Sequence, residues 1–239
     1  MDAASTSTGS TGTPARPWRA WAHFVRHPVL PDRAATGLAG GLRTLAPLLG
    51  LDLIIMGLLI GAVSLAAHLG FKLPEHALDH LKLTPVIVAL VVIAAPVVEE
   101  TVFRGWLSGR PGHIAAIVVL LAGAAWMVAL RMSVYGLAGM GVAALLAIAA
   151  AWALRRQRTF GWFQRHFGWF FWGSALTFAA LHLSNFGAAG PAMLPLVMPQ
   201  FVLALFLGYL RVTRGLWTSM LMHMLHNSIF IGLILTGLG

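Results

Sequence analysis

The chain has 239 residues, of which 59% are hydrophobic and 10% are charged, and its mean hydropathy is +0.82. A soluble domain carries about 25% charged residues, so this composition excludes an ordinary soluble protein and favours a helical membrane protein with several spans. The formal net charge is +9, and the absence of cysteine excludes disulfides, thiolate metal ligands and a cysteine nucleophile.

The first 45 residues differ from the rest of the chain. They begin with a stretch rich in Ser, Thr and Gly, a composition typical of disorder. Trp18, Trp21 and Val25 then share one helical stripe flanked by arginines, which favours a short basic amphipathic segment on an anionic membrane surface. An irregular basic tail explains the same residues. We therefore predict an N-terminal tail over 1–45 and a transmembrane domain over 46–239.

Seven apolar segments follow, each near the length that crosses a bilayer as a helix. The predicted spans cover residues 46–69, 85–108, 113–130, 133–154, 168–187, 192–211 and 215–236. The predicted fold class is therefore all-α, a polytopic transmembrane bundle of about seven spans, between six and eight. The stretch 113–154 is too long for one crossing and is predicted to form a helical hairpin. Gly57 and Gly61 form a small-xxx-small pair that favours close helix packing.

The distribution of basic residues predicts the orientation of the bundle. With the N-terminus in the cytoplasm, thirteen of the sixteen Lys and Arg residues fall on the cytoplasmic side. Only Lys72, Lys82 and Arg131 fall outside, which is a strong positive-inside bias. Topology and attraction to anionic lipids therefore account for the net charge, and no nucleic-acid partner is needed.

Ionisable side chains inside a membrane are costly, so each one is a functional candidate. The polar residues predicted at depth are Asp52, His68, Glu99, Glu100, Arg104, His182, Asn185, His223, His226 and Asn227. Glu100 and Arg104 are spaced i, i+4 and can pair on one helix face. Glu99 lies about 100° round the helix from Glu100, so it is free to face a different partner.

Two later spans supply candidate partners for Glu99. The stretch TFAALHLSNFG places Phe178 and His182 one helical turn apart, and Asn185 follows after another turn. The stretch LWTSMLMHMLHNS places His223 and Asn227 at i, i+4. A lone histidine in a membrane is often only a packing residue, but these spans together with a free glutamate predict one polar cavity.

The three motifs resemble those of the CAAX protease and bacteriocin-processing family of intramembrane endopeptidases, also called the Abi or Rce1-type family. The matching residues, in chain order, are Glu99, Glu100, Arg104, Phe178, His182, His223 and Asn227. The resemblance covers roughly residues 85–236. One departure is the spacing of 83 positions between Glu99 and His182, which is longer than in typical members. A hairpin inserted at 113–154 accounts for the extra length.

The resemblance implies an endopeptidase in which Glu99 activates a water molecule. It implies that His182 helps to hold that water and that His223 and Asn227 donate to the oxyanion. The supporting residues are Glu100, Arg104, Phe178 and Asn185. No cofactor is favoured, although Glu99, His182 and His223 have the composition of a two-histidine, one-carboxylate zinc site.

The resemblance also implies a peptide or membrane-protein substrate, with lipidated substrates included, because relatives trim prenylated CAAX termini. The expected location is the inner (cell) membrane of a bacterium, as a multi-pass protein in contact with membrane lipids. The alternative is a non-enzymatic carrier or scaffold that uses the Glu/His cluster as a proton relay or a structural network. A carrier would more often show internal repeats, and the sequence has no evident repeat.

Overall fold

The computed structural model describes residues 16–72, 74, 82–186 and 191–237. In these ranges the regular structure is helical and contains no strand. The α-helices are α1 Pro17–Arg26, α2 Leu38–His68, α3 Pro85–Ala89, α4 Ala95–Arg104, α5 Pro111–Ala129, α6 Val134–Ala153, α7 Gly161–Arg165, α8 Phe167–Leu181, α9 Met198–Arg214 and α10 Leu216–Leu235. A π-helical turn, Leu90–Ala94, joins α3 to α4, and a 3-10 turn follows α4.

Six helical segments of the described chain are long and apolar enough to cross a membrane. They are Leu38–His68, Pro85–Ser108, Pro111–Ala129, Val134–Ala153, Met193–Arg214 and Leu216–Leu235. The prediction of an all-α polytopic bundle is therefore confirmed, and the number of spans lies within the predicted range. The orientation of the N-terminus in the cytoplasm stays a prediction.

The predicted span at 168–187 differs from the other six. It corresponds to α8, which has 15 residues and gives way at His182 to a 3-10 turn. A helix of that length reaches about 22 Å, which is short of the roughly 30 Å hydrocarbon core. The polar residues that follow Leu181 end the α-helix early because they turn into the interior cavity described below.

The N-terminal segment packs on the bundle. In α1 the Trp21 ring stacks on Phe206 of α9, with ring centroids 4.1 Å apart, and Phe24 makes an edge contact with Phe171. The apolar stripe predicted to face lipid therefore contacts protein through Trp21. The first span begins at Leu38, inside the segment assigned to the tail. The predicted disorder of the first stretch falls mostly on residues 1–15, which lie outside the described residues.

Helices α5 and α6 form a close hairpin over the stretch predicted to contain one. Their backbones approach at Gly123, where an added Cβ atom would clash with the Cβ of Ala143. The close packing predicted at Gly57 and Gly61 is wrong, because nothing lies within 4 Å of a Cβ built at either position. That the hairpin is an insertion stays a prediction.

Helix α9 is the most buried of the described spans and holds its neighbours in place. Its side chains from Leu203 to Val212 are buried, and α8, α10 and α2 pack around it. The contact with α8 is tight, since a Cβ at Gly208 would come 2.7 Å from the Phe171 ring. This packing fixes the positions of α4, α8 and α10, which carry the polar motifs.

Candidate active site

One cavity of about 870 Å³ collects the polar side chains of the three motifs. Among the residues that line it are Glu99, Phe178, His182, Asn185, His223, His226 and Asn227. The remaining lining is mostly apolar and comes from α2, the π-helical turn, α9 and α10. The structure therefore brings together residues that lie up to 128 positions apart in the sequence (227 − 99).

A proline and an asparagine set the start of the helix that carries Glu99. In the π-helical turn the amide of Ala95 donates to the carbonyl of Leu90, five residues back. In the same i to i−5 pattern, residue 96 would donate to the carbonyl of Val91, but Pro96 has no N–H. The side-chain amide of Asn227 instead donates to the carbonyl of Val91, at 2.9 Å. Asn227 thus compensates for the missing backbone donor and joins α10 to the Glu99 helix.

Side chains from neighbouring helices hold the other end of this helix. The last carbonyls of a helix have no intrahelical donor and need partners. Ser174 of α8 donates to the carbonyl of Phe103 at 2.7 Å. Arg211 of α9 donates from Nε to the carbonyl of Arg104 and from Nη2 to that of Gly105, both at 2.7 Å. The turn that carries the two glutamates is therefore fixed at both ends.

Glu100 lies at the centre of a buried network of hydrogen bonds, in which Nη2 of Arg104 has no partner among the described residues. Its side chain is 0% exposed, and its Oε1 accepts from Arg104 Nη1 at 2.9 Å. The same oxygen lies 3.0 Å from Nδ1 of His223, and Oε2 accepts from the hydroxyl of Ser219. The ion pair predicted between Glu100 and Arg104 is thus present. Because both oxygens are occupied, Glu100 has no free lone pair directed at the cavity.

Glu99 has the opposite surroundings. Its side chain is 29% exposed and lines the cavity, and its Oε2 lies 3.7 Å from Nε2 of His223. That separation is longer than a direct hydrogen bond but within ion-pairing distance. His223 therefore stands between the two carboxylates, with Nδ1 toward Glu100 and Nε2 toward Glu99. The unequal pairing agrees with the expected division between a neutralised Glu100 and a free Glu99.

His182 is oriented by its own helix. Its Nδ1 lies 2.8 Å from the carbonyl of Phe178, and a carbonyl only accepts, so Nδ1 carries the proton. In the neutral ring Nε2 then has a lone pair. Phe178 is fully buried, and its ring lies against His182 on one side and the Arg104 guanidinium on another, 4.0 Å from its Cζ. Phe178 thus packs against Arg104 of the first motif and His182 of the second motif.

His226 belongs to a separate ion pair. Its Nδ1 lies 2.6 Å from Oδ2 of Asp52 in α2, whose side chain is 0% exposed. The other carboxylate oxygen, Oδ1, has no hydrogen-bond partner in the described part of the chain. His226 also lines the cavity and packs on Phe230. This pair joins α2 to α10 beside the motif residues.

The possible zinc site of Glu99, His182 and His223 stays a prediction. Within the described part of the chain, no three His, Asp or Glu residues are grouped closely enough to hold a metal ion. Glu99 and His223 approach each other, but His182 does not complete a set of ligands with them. No step of the chemistry below is therefore routed through a metal.

Sequence reasoning missed three residues of this site. Ser219 precedes His223 by four positions, so its place on the same helix face was a signal in the sequence. Ser174 and Arg211 carried no such signal, because each one binds backbone carbonyls more than 70 positions away. The pairing of Asp52 with His226 spans 174 positions and was equally hidden.

A multi-span helical protein with free and paired carboxylates, histidines and an amide around one interior cavity has the parts of an intramembrane hydrolase. A family model described as "Type II CAAX prenyl endopeptidase Rce1-like" matches residues 155–229. The match contains the second and third motifs and confirms the predicted resemblance over those residues. It suggests CAAX-type intramembrane protease activity in an integral membrane protein. No curated protein and no solved structure matches the chain.

Proposed function

We propose that the protein is an intramembrane endopeptidase in which Glu99 activates a water molecule for attack on a peptide bond. The observation that carries this proposal is the convergence of all three motifs on one cavity, with Glu99 as the carboxylate exposed to it. The first motif lies outside the residues of the family match. Its role here rests on the geometry that places it beside the other two.

The attacking water is held by Glu99 and His182. Glu99 takes one proton from the water, and the resulting hydroxide oxygen bonds to the peptide carbonyl carbon. The lone pair on Nε2 of His182 accepts a hydrogen bond from the same water and helps to orient it. The proton held by Glu99 then passes to the leaving amine when the C–N bond breaks, so the products are a carboxylic acid and an amine, and Glu99 is again a carboxylate.

Two donors stabilise the oxyanion of the tetrahedral intermediate. His223 lies between the carboxylates of Glu100 and Glu99, and its imidazolium form donates from Nε2 to the oxyanion. Asn227 uses one N–H for Val91 and retains the second N–H for the cavity. A donor of this kind contributes about 3 kcal/mol to the transition state in other hydrolases.

The substrate class follows from the setting of the cavity. Its lining is mostly apolar, which suits a peptide segment that is apolar or carries a lipid. We propose a peptide or membrane-protein substrate reached from the bilayer, in the inner membrane of a bacterium. Comparing peptides from membranes that contain wild-type protein or Glu99→Ala protein would identify it, because the uncleaved substrate accumulates only with the variant. Identical peptide profiles would contradict the proposal.

Two neighbouring histidines give a matched test of the site. We expect His223→Ala to lower kcat about a hundredfold or more, because it removes an oxyanion donor. We expect His226→Ala to be much milder, since that side chain pairs with Asp52. Equal losses at the two positions, or a loss at His226 alone, would contradict the assigned roles.

We propose that the reaction needs no metal ion, in keeping with the absence of a three-ligand group among the described residues. Metal analysis of the purified protein, together with cleavage rates before and after chelation, tests this. Unchanged rates after complete metal removal are expected. A loss of activity that zinc restores would contradict the metal-free mechanism.

A further inference from the structure

A second cavity, of about 450 Å³, is separate from the cavity that Glu99 lines. Its lining comes from four chain segments: residues 30–36, 108–113, 159 and 211–217. All four adjoin the ends of helices, so the cavity lies at the level of a membrane–water interface. The distribution of basic residues predicts that this end of the bundle faces the cytoplasm.

The lining of this cavity is strongly basic. It contains the guanidinium groups of Arg33, Arg110 and Arg211, and Asp32 is the one carboxylate among its lining residues. Asp32 accepts a hydrogen bond from Gln164, and no carboxylate of the described chain lies within ion-pairing distance of the three arginines. Arg33 is exposed and Arg110 is half-buried, so both cations are accessible to an anion that enters the cavity from solution.

Arg211 provides a second observation that points to a ligand. Only 8% of this residue is exposed, and its Nε and Nη2 are used by the two carbonyls at the end of α4. The third nitrogen, Nη1, has no partner in the described part of the chain. A buried guanidinium fixed by two carbonyls presents its remaining N–H groups in one defined direction.

The helix that begins beside this cavity adds to the same field. Helix α5 has 19 residues and starts after Arg110, with no acidic residue in its first turn and no side-chain cap. Its N-terminus therefore retains the partial positive charge of the helix dipole. Ser108 and Thr159 add hydroxyl groups to the lining.

We propose that this basic cavity binds a phosphate group. Arginine forks match phosphate oxygens in geometry as well as in charge. At the cytoplasmic interface the phosphate of an anionic lipid headgroup is one source, and free phosphate in solution is the other. The cavity is larger than a single phosphate needs, which leaves room for the rest of a headgroup. Because Arg211 also holds the end of α4, an occupied site stabilises the helix that carries Glu99.

The test uses the full chain in nanodiscs and follows the thermal midpoint by tryptophan fluorescence. One arm compares phosphatidylcholine discs with discs that also contain phosphatidylglycerol, and the other adds inorganic phosphate to neutral discs at matched ionic strength. The variant Arg33→Gln/Arg110→Gln removes two cations whose side chains make no hydrogen bond or ion pair in the described chain. The control Arg156→Gln/Arg158→Gln removes equal charge from exposed positions outside the cavity.

We expect the apparent affinity of the Arg33/Arg110 variant to fall at least about tenfold, while wild type and control respond alike. If phosphatidylglycerol alone raises the midpoint in this pattern, the proposal is supported with a lipid as the source. If inorganic phosphate does so unaided, the site is supported with free phosphate as its ligand. Equal shifts in all three proteins, or no shift in any, would overturn the proposal. The single variants Arg33→Gln and Arg110→Gln repeat the test if the double variant folds poorly.

Discussion

Replacing Asn227 with alanine removes the amide that donates to the carbonyl of Val91. That carbonyl needs a side-chain donor because the backbone position next in register is Pro96, which has no N–H. Replacing Pro96 with alanine restores a backbone N–H at this point. The two substitutions should therefore be coupled, since the second supplies what the first removes.

The size of the coupling follows from the cost of an unpaired carbonyl. Leaving a buried carbonyl without a partner costs about 1–3 kcal/mol. Side-chain hydrogen bonds between membrane helices average about 0.6 kcal/mol and reach about 1.7 kcal/mol. We expect Asn227→Ala to lower the free energy of unfolding by about 1 kcal/mol or more. Most of that loss should disappear when Pro96→Ala is already present.

The assay is equilibrium unfolding in mixed micelles for the wild type, both single variants and the double variant. Asn185→Ala is the matched control, because Asn185 lines the same cavity and makes no hydrogen bond to the π-helical turn. Its effect should simply add to that of Pro96→Ala. Additive effects for Asn227 and Pro96 would refute the reasoning. Activity gives a second reading, because the double variant regains stability but still lacks an oxyanion donor.

Three further predictions address the buried charges and the topology. Arg104→Ala should lower the folded yield as well as activity, because removing one partner of a buried ion pair costs about 3–5 kcal/mol; an inactive protein of wild-type stability would instead favour a direct catalytic role. His226→Ala should cost more stability than activity, and Asp52→Asn should restore part of that stability in the double variant, as unfolding midpoints would reveal. A cysteine at Lys82 should react with an impermeant maleimide added outside intact cells; labelling only from the cytoplasmic side would reverse the orientation.

Local patterns in the sequence were sufficient for the spans and for part of the site. The ion pair of Glu100 with Arg104 was predictable because an i, i+4 spacing fixes two side chains on one helix face. Six of the seven spans predicted from apolar runs are present, since length and hydropathy are properties of a single segment. The short α8 was the exception, because hydropathy does not show that the α-helix gives way to a 3-10 turn at His182.

Contacts between residues on different helices could not be predicted from the sequence. From the sequence, Arg211 was assigned only as one of the cytoplasmic arginines. In the structure it donates to the carbonyl of Arg104 at the end of the Glu99 helix, 107 positions away. Asn227 was predicted to donate to an oxyanion. Its hydrogen bond to the carbonyl of Val91 depends on the π-helical turn before Pro96, which no local pattern in the sequence predicted. Each of these contacts needs the relative placement of two helices, which spacing along one helix does not determine.

The central claim is that the carboxylate of Glu99 acts as the base. Its most direct test is the cleavage rate of Glu99→Gln protein, reconstituted in liposomes with a peptide that accumulates in the variant membranes. The amide keeps the shape of the side chain but cannot accept the proton, so we predict a fall in kcat of at least about a hundredfold with an unchanged unfolding midpoint. A Glu99→Gln protein that cleaves the peptide at the wild-type rate would contradict the account.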